Sequence, residues 1–243
     1  MSKLVIIPTY NERENISPII SAIFSLGKGY HVLVIDDGSP DGTADIVREL
    51  QANWGGSLFL EERKGKSGLG TAYIHGFKWA LARSYEFIFE MDADFSHSPS
   101  DLERLYEACT LHGADVAIGS RYVKGGGTVN WPQSRILLSK GGSLYTRIIT
   151  NIPVHDTTAG FVCYRRKVLE TINLDEIAFL GYAFQIEMKF ASWKLGFRII
   201  EVPIIFEDRK FGVSKMHRGI IKEGILGVIR LKWNSLFKDY VRR

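Results

Sequence analysis

The chain has 243 residues, 45% of them hydrophobic, with a formal net charge of +4 and two cysteines. That size and apolar content suit a full core in one α/β domain. Cys109 and Cys163 fall in a helical pattern and a strand-like run and read as reduced core thiols, which excludes a disulfide scaffold or a zinc site. No charge-free run approaches the roughly 18 apolar residues that span a bilayer, and Met1 leads straight into a strand with no signal-peptide pattern; the expectation is a chain that does not cross a membrane.

The first predicted strand, Leu4–Ile7, exits into Pro8-Thr9-Tyr10-Asn11-Glu12, and a helix follows near Ile16–Ser25. The second, Val32–Ile35, ends in Asp36-Asp37-Gly38-Ser39-Pro40-Asp41-Gly42 before a helix near Ala44–Ala52. Asp36 and Asp37 suit a turn, or contacts to a ribose hydroxyl or a base; Asp41 or Thr43 is the expected helix cap. After a strand at Leu58–Leu60 comes Lys64-Gly65-Lys66-Ser67-Gly68-Leu69-Gly70, opening a helix over Leu69–Ala82. This loop is similar to a phosphate cradle. It lacks Walker A spacing and does not follow the first strand as a Rossmann fingerprint does, so it is expected to border a donor site, not to support nucleotide hydrolysis or hydride transfer. A strand at Phe87–Met91, a helix at Asp101–Leu111 and a strand at Val116–Gly119 continue the alternation. Such a βα repeat predicts a mostly parallel sheet with helices on both faces.

Beyond Arg121 the pattern is less regular. Lys124-Gly125-Gly126-Gly127 and Trp131-Pro132 precede a helix near Ser134–Ile149, a strand near Phe161–Tyr164, a helix near Phe184–Trp193 and a strand near Ile199–Phe206. No repeat or linker divides this body. The segment from Arg209 onward holds ten of the 31 Lys and Arg but only two of the 27 Asp and Glu. Such a basic segment could meet nucleic acid, an anionic membrane or phosphate ligands; no nucleic-acid motif favours the first. Ile220, Ile221, Ile225, Val228, Ile229, Leu236 and Phe237 form an approximate helical stripe, flanked by Lys222, Arg230, Lys232 and Lys238, with Trp233 and Tyr240 available for an interface. The stripe suits a helix lying on a membrane, or a terminal helix packed on the core. The expected organisation is a main domain over 1–218 and a basic amphipathic helix over 219–243.

Three strands thus deliver polar residues to the edge where open α/β sheets bind ligands. The most informative is Met91-Asp92-Ala93-Asp94. Side chains at i and i+2 project together where a strand ends, and two close carboxylates repel. A hard divalent cation relieves that repulsion, and Mg²⁺ usually takes one or two carboxylates plus substrate phosphates. Taken alone, the pair could also be a solvated Asp-rich turn.

Pro8-Thr9-Tyr10-Asn11-Glu12, Asp36-Asp37-Gly38-Ser39, Asp92-Ala93-Asp94 and Gly119-Ser120-Arg121-Tyr122 follow the order of family 2 glycosyltransferases. Asn130-Trp131-Pro132, Arg135, Ser139, Asp156-Thr157-Thr158-Ala159-Gly160-Phe161, Gly181-Tyr182-Ala183-Phe184-Gln185-Ile186-Glu187 and Asp208-Arg209-Lys210-Phe211-Gly212-Val213-Ser214-Lys215 resemble the dolichol-phosphate (polyprenol-phosphate) mannose synthases within it. The resemblance covers nearly the whole chain and implies a GT-A fold, a Rossmann-like nucleotide-diphospho-sugar transferase architecture. By that resemblance, Pro8, Tyr10, Glu12, Ile35 and Asp37 would hold the nucleoside of GDP-mannose. Asp92, Ala93, Asp94 and Ser96 would surround Mg²⁺ or Mn²⁺ and the diphosphate. Arg121, Arg135 and Ser139 would hold a polyprenyl phosphate, and with Asp94 they make the catalytic set. Arg209 and Lys215 would close over the donor diphosphate, with Phe211 and Gly212 in a mobile lid. It further implies peripheral attachment at the cytoplasmic face of a membrane, directly or through a small membrane subunit.

Many inverting relatives that glycosylate a sugar hydroxyl carry a Glu-Asp type base on the late acceptor helix, where this chain reads Gly181-Tyr182-Ala183-Phe184-Gln185. A hydroxyl needs such a base. A phosphate monoester, with a second pKa near roughly 6, does not. Inverting single displacement onto a lipid phosphate is favoured, with Glu187 in a structural or orienting role or, as the alternative, an acidic candidate. The alternatives are a transferase of the same fold using another sugar nucleotide, such as UDP-glucose, or another lipid phosphate, and a non-catalytic nucleotide-sugar-binding, membrane-associated protein.

Overall fold

Alternation along the first strand sets the architecture. In the computed structural model, which describes residues 1–181, 183–208, 218–237 and 240–241, β1 (Lys3–Thr9) sends Leu4 and Ile6 to one face and Val5 and Ile7 to the other. All four are fully buried, as a parallel strand covered on both faces requires. β2 (Tyr30–Asp36) and β4 (Phe87–Glu90) flank β1 in parallel, and β3 (Leu58–Glu62) extends the sheet beyond β2. β7 (Val162–Arg165) lies antiparallel between β4 and β5 (Val116–Ser120), and β8 (Ile199–Pro203) pairs in parallel with β5. The order β3-β2-β1-β4-β7-β5-β8 makes a seven-stranded, mostly parallel mixed sheet.

Helices cover both faces. α1 (Arg13–Ser25), α2 (Thr43–Gln51) and α4 (Asp101–Thr110) pack on the Val5 and Ile7 side. α3 (Leu69–Leu81), α6 (Arg166–Thr171) and α7 (Ala183–Lys194) pack on the Leu4 and Ile6 side. In α1, Ile16, Ile19, Ile20 and Ile23 form the inward stripe that a 3.6-residue period demands; each such side chain contributes about 1.5–3 kcal/mol on burial. The N-cap of α2 is Gly42, not the expected Asp41 or Thr43; Asp41 Oδ1, one residue before it, accepts the Thr43 N–H at 3.0 Å. α3 lies so close to the sheet that a Cβ on Gly76 would stand 2.8 Å from Ile6 and 2.9 Å from Ile35.

The structure departs from the sequence reading in its second half. The expected strand over Ile199–Phe206 divides: after β8 the chain continues as β9 (Ile205–Glu207), which pairs with β6 (Gly127–Val129) from the Gly-rich loop in a separate two-stranded sheet. The hand-over occurs at Ile204, whose N–H reaches Ser120 in the main sheet while its carbonyl accepts from Gly127. α5 (Gln133–Thr150) matches the expected helix, whereas α6 was not anticipated. α8 (Arg218–Asn234) packs against α5 and α7. The side chains of Ile220, Ile221, Lys222 and Ile225, and residue Lys238, lie outside the described residues. Of the rest of the stripe, Val228 is buried with Leu231, while Ile229, Leu236 and Phe237 are exposed, with Leu226 and Trp233. Tyr240 corrects the interface expectation: it is buried against Phe190, ring centroids 6.1 Å apart.

Candidate active site

The C-terminal ends of β1, β2 and β4 meet along one edge because β1 lies between the other two. There Asp36 accepts from Thr9 Oγ1 at 2.8 Å, from the Ser39 N–H at 2.8 Å and from Ser39 Oγ at 2.6 Å. Asp36 is thus a staple between two loops, not a ligand contact. Asp37 Oδ1 accepts from Arg63 Nε at 2.6 Å, and Arg63 Nη1 donates to Thr71 Oγ1 at 2.8 Å. Lys66 sets its ammonium 5.2 Å from the Tyr10 ring centre, which brings the Gly-rich loop to this edge as expected. Glu12 accepts from Asn15 Nδ2 at 2.8 Å, and Pro8 is half-buried beside it in the chain. Ile35 and Ala93 place their side chains in the core, so only their backbone can meet a ligand at this edge.

Asp92, Asp94 and Ser96 line a cavity of about 280 Å³. A positive φ of 60° at Phe95 turns the chain beyond Asp94, and the Ser96 N–H donates to Asp94 Oδ1 at 3.1 Å. Ser96 Oγ is buried with no hydrogen-bond partner among the described residues. Two carboxylates and an orphaned hydroxyl are hard oxygen donors, a set that fits Mg²⁺ or Mn²⁺. Among the described residues no group of three His, Cys, Asp or Glu could cage a metal, so the remaining positions would fall to substrate phosphate or water. His97 also lines the cavity, stacked 5.0 Å from Phe161 and edge-on to Phe206 at 5.1 Å. Burial pushes its imidazole down to about 4, against the pull of the Asp94 carboxylate. Below the cavity, burial raises the Glu90 carboxyl to about 8, opposed by the Lys189 charge, and lowers Lys189 to about 8.

The cationic wall comes from β5 and α5. Arg121 follows β5 and meets Asp156 through Nε at 2.7 Å and Nη2 at 2.6 Å, with its N–H on the same carboxylate at 3.0 Å. Nη2 also reaches Thr158 Oγ1 at 2.9 Å. Burial pushes the Asp156 carboxyl up, but the Arg121 hydrogen bonds and charge outweigh it and hold it below the ordinary carboxylate value. Glu201 steadies the pair from beneath, accepting from Ser120 Oγ at 2.7 Å and the Asp156 N–H at 2.9 Å. Nη1 is the guanidinium nitrogen outside these bonds among the described residues. Arg135 stacks 3.9 Å over Trp131 and donates from Nη1 to Asp208 Oδ1 at 3.0 Å. Ser139 lies one helical turn on and is hydrogen-bonded to the Tyr122 hydroxyl, 2.6 Å away. Arg121, Arg135 and Ser139 line the same cavity as Asp92 and Asp94. Leu138, Gly142 and Tyr145 of α5 and Gly224 and Val228 of α8 line it too.

Glu187 is buried, and its Oε2 accepts the N–H groups of Ala178 at 2.8 Å and Phe179 at 3.0 Å. That is the orienting role expected of it. Arg209, Phe211, Gly212 and Lys215 lie outside the described residues, as does Tyr182. Sequence reasoning missed Arg63 and His97. Arg63 follows β3, where the same strand-end rule would have placed it; His97 lies three residues past Asp94 with no periodicity to mark it.

Comparison with known proteins agrees with this geometry. The chain is 47% identical over 225 residues to a polyprenol monophosphomannose synthase of Mycolicibacterium smegmatis, covering 93% of this chain and 84% of the relative. It is 46% identical over 240 residues to an undecaprenyl-phosphate mannosyltransferase of Micrococcus luteus, covering 97% and 98%. Among solved structures, glucosyl-3-phosphoglycerate synthase of Mycobacterium tuberculosis, in complex with Mn²⁺, UDP-glucose and phosphoglyceric acid, aligns with a TM-score of 0.68 at 18% identity, over 96% of this chain and 80% of that one. That likeness establishes the GT-A fold. Residues 4–172 match the profile of glycosyl transferase family 2, and the chain belongs to that family.

Proposed function

We propose that the chain transfers mannose from GDP-mannose to the phosphate of a polyprenyl phosphate in a single displacement, with inversion at the anomeric carbon. The observation that carries this reading is one cavity holding Arg121, Arg135 and Ser139 with Asp92 and Asp94, while the first turn of α7 offers no acid. A hydroxyl acceptor would need a positioned base. Glu187 is engaged with Ala178 and Phe179, and His97, pushed down to about 4 by burial, is a weak one. A phosphate monoester is largely dianionic at neutral pH and needs only to be held in line by cations. The names of the two curated relatives support this acceptor class and this sugar.

Pro8, Tyr10, Glu12 and Asp37, with the Ile35 backbone, take the nucleoside. Asp92, Asp94 and Ser96, with the Ala93 backbone, hold Mg²⁺ or Mn²⁺ against the diphosphate. A divalent ion held there would supply positive charge against the diphosphate of the departing GDP. Arg209 and Lys215 take the outer side of that diphosphate. Asp156 fixes Arg121 so that its remaining nitrogen points at the acceptor, and Arg135 exchanges Asp208 for the lipid phosphate. The polyprenyl chain leaves past Leu138 and Tyr145 towards exposed Leu137, Leu144 and Ile148 of α5 and Leu226, Ile229 and Trp233 of α8. This face rests on the cytoplasmic surface of a membrane, with residues 1–218 as catalytic unit and the basic segment 219–243, which carries most of α8, at the surface; a small membrane subunit is a compatible partner. No helix among the described residues is long and apolar enough to cross a membrane.

The test supplies purified protein with Mg²⁺, GDP-mannose and either undecaprenyl phosphate or undecaprenol. Lipid-linked mannose should form with the phosphate alone. Transfer to the free alcohol overturns the acceptor, and a preference for UDP-glucose overturns the donor.

A further inference from the structure

The residues assigned above are proposed for nucleoside, diphosphate and acceptor, which leaves the hexose without an assigned residue. α7 brings Gln185 to the cavity wall, 1% exposed. Lys189, one turn later and fully buried, donates from Nζ to the Ala159 carbonyl at 2.6 Å, the Gln185 carbonyl at 3.1 Å and Gln185 Oε1 at 3.3 Å. An ammonium can only donate. The Gln185 amide oxygen therefore faces Lys189, and its NH₂ group occupies the other side. Nε2 closes no hydrogen bond among the described residues. A Cβ on Gly160 would stand 3.8 Å from Asp92 Oδ2 and 4.0 Å from Gln185 Nε2, so the amide and the carboxylate border the same small gap. The Glu90 carboxyl is close enough to feel this amide but closes no hydrogen bond with it, and an NH₂ has two hydrogens, so at least one is left for the cavity.

Buried polar atoms are seldom left unpaired, and one that opens into a site marks a ligand position. The missing partner is an acceptor, and a neutral one suits a neutral amide. A carboxylate in place of Gln185 would add negative charge beside Asp92 and Asp94; the amide donates without doing so. The anionic acceptor belongs to the arginine wall, which leaves the hexose of the donor.

We infer that Gln185 Nε2 donates a hydrogen bond to a hydroxyl oxygen of the transferred hexose, and that Lys189 is a positioning residue that fixes the direction of the amide. This rests on the glycosyl-transfer reading above. It would make Gln185 a reader of the sugar, independent of nucleoside and metal.

The experiment compares GDP with GDP-mannose by calorimetry in the presence of Mg²⁺, for wild type, Gln185→Met, Gln185→Ala and Lys189→Met. GDP affinity should stay within about twofold, while GDP-mannose binding weakens roughly five- to tenfold in the Gln185 variants and less in Lys189→Met. Across a set of GDP-monodeoxymannoses, one analogue should bind wild type and Gln185→Ala alike, because the lost hydroxyl is the one the amide reads. GDP binding doubles as the control for folding, and Gln185→Met, of similar length and uncharged, covers a failure of the alanine variant. Equal losses for GDP and GDP-mannose, no loss for either, or every deoxy analogue discriminating the two proteins as the parent does would overturn the inference. If wild type prefers UDP-glucose, the donor reading fails, and UDP against UDP-glucose tests Gln185 in the same way.

Discussion

Arg121 and Asp156 show how a functional charge is kept in place at the scale of single residues. Asp156 is 0% exposed and makes three of its bonds to Arg121. Removing one partner of such a buried pair costs about 3–5 kcal/mol because the other charge is left uncompensated. Asp156→Ala should therefore lose about that much stability in urea at pH 7. Its pH dependence has a definite sign: a carboxyl held below the ordinary value of 3.8 stabilises fully at neutral pH and loses that contribution as pH falls through its folded value. The gap between wild type and variant should shrink in acid below that point; a gap unchanged at low pH would remove Asp156 as the source. Asp94→Asn should nearly abolish transfer at saturating metal with melting unchanged, and full turnover would remove Asp94 from the site. Arg135→Ala tests the acceptor side. Loss of a charge-assisted contact of about 1.5–3 kcal/mol should cost roughly ten- to a hundredfold in acceptor kcat/KM, with donor affinity retained. Arg135→Lys should recover part of it, since the charge returns without the planar fork.

The elements explain which of these residues the sequence could reveal. Parallel strands buried on both faces read as unbroken apolar runs, so β1, β2 and β4 were legible, and with them the polar residues where they end. Helix α5 was legible from Pro132 and its periodicity, and Arg135 and Ser139 came with it. Pairing was not legible. Nothing local tells β7 to run antiparallel between β4 and β5, or β9 to leave the sheet for β6, because those choices are made by distant partners. The same limit hid the commitment of Arg121 to Asp156 and of Arg135 to Asp208, contacts that join separate loops. The direction of the Ile35 side chain was hidden for a different reason: the last residues of a strand alternate between core and edge, and this side chain faces α3. That contact leaves no spare room. Gly76→Ala should destabilise by about 1–3 kcal/mol through overpacking against Ile6 and Ile35, read as a lower urea midpoint with an unchanged slope; a neutral result would mean that α3 can shift outward freely.

Across the whole molecule, charge and apolar surface are distributed unevenly. The chain from Arg209 onward is strongly basic, and α8, which it contains, packs beside α5. Leu137, Leu144 and Ile148 are exposed along one side of α5, and Leu226, Ile229 and Trp233 along α8. Neighbouring apolar stripes on two packed helices form more than scattered exposed side chains, which need no explanation; contiguous patches mark interaction surfaces. Leu138 and Tyr145 of α5 and Val228 of α8 reach the cavity, so the same two helices link the surface to Arg121 and Arg135. A lipid phosphate entering there could keep its chain in the bilayer, and basic residues would add attraction to anionic headgroups that salt screens. Leu144 and Ile148 are 54% and 65% exposed and do not line the cavity, so they separate attachment from chemistry. Leu144→Glu combined with Ile148→Glu should sharply reduce co-sedimentation with vesicles containing anionic lipid, and slow transfer to undecaprenyl phosphate embedded in them. Transfer to a short, water-soluble isoprenyl phosphate should proceed at the wild-type rate, since Arg121, Arg135 and the strand-end carboxylates are untouched. Loss of both activities would make these side chains part of the catalytic fold, and unchanged vesicle binding would place the membrane contact elsewhere on the molecule.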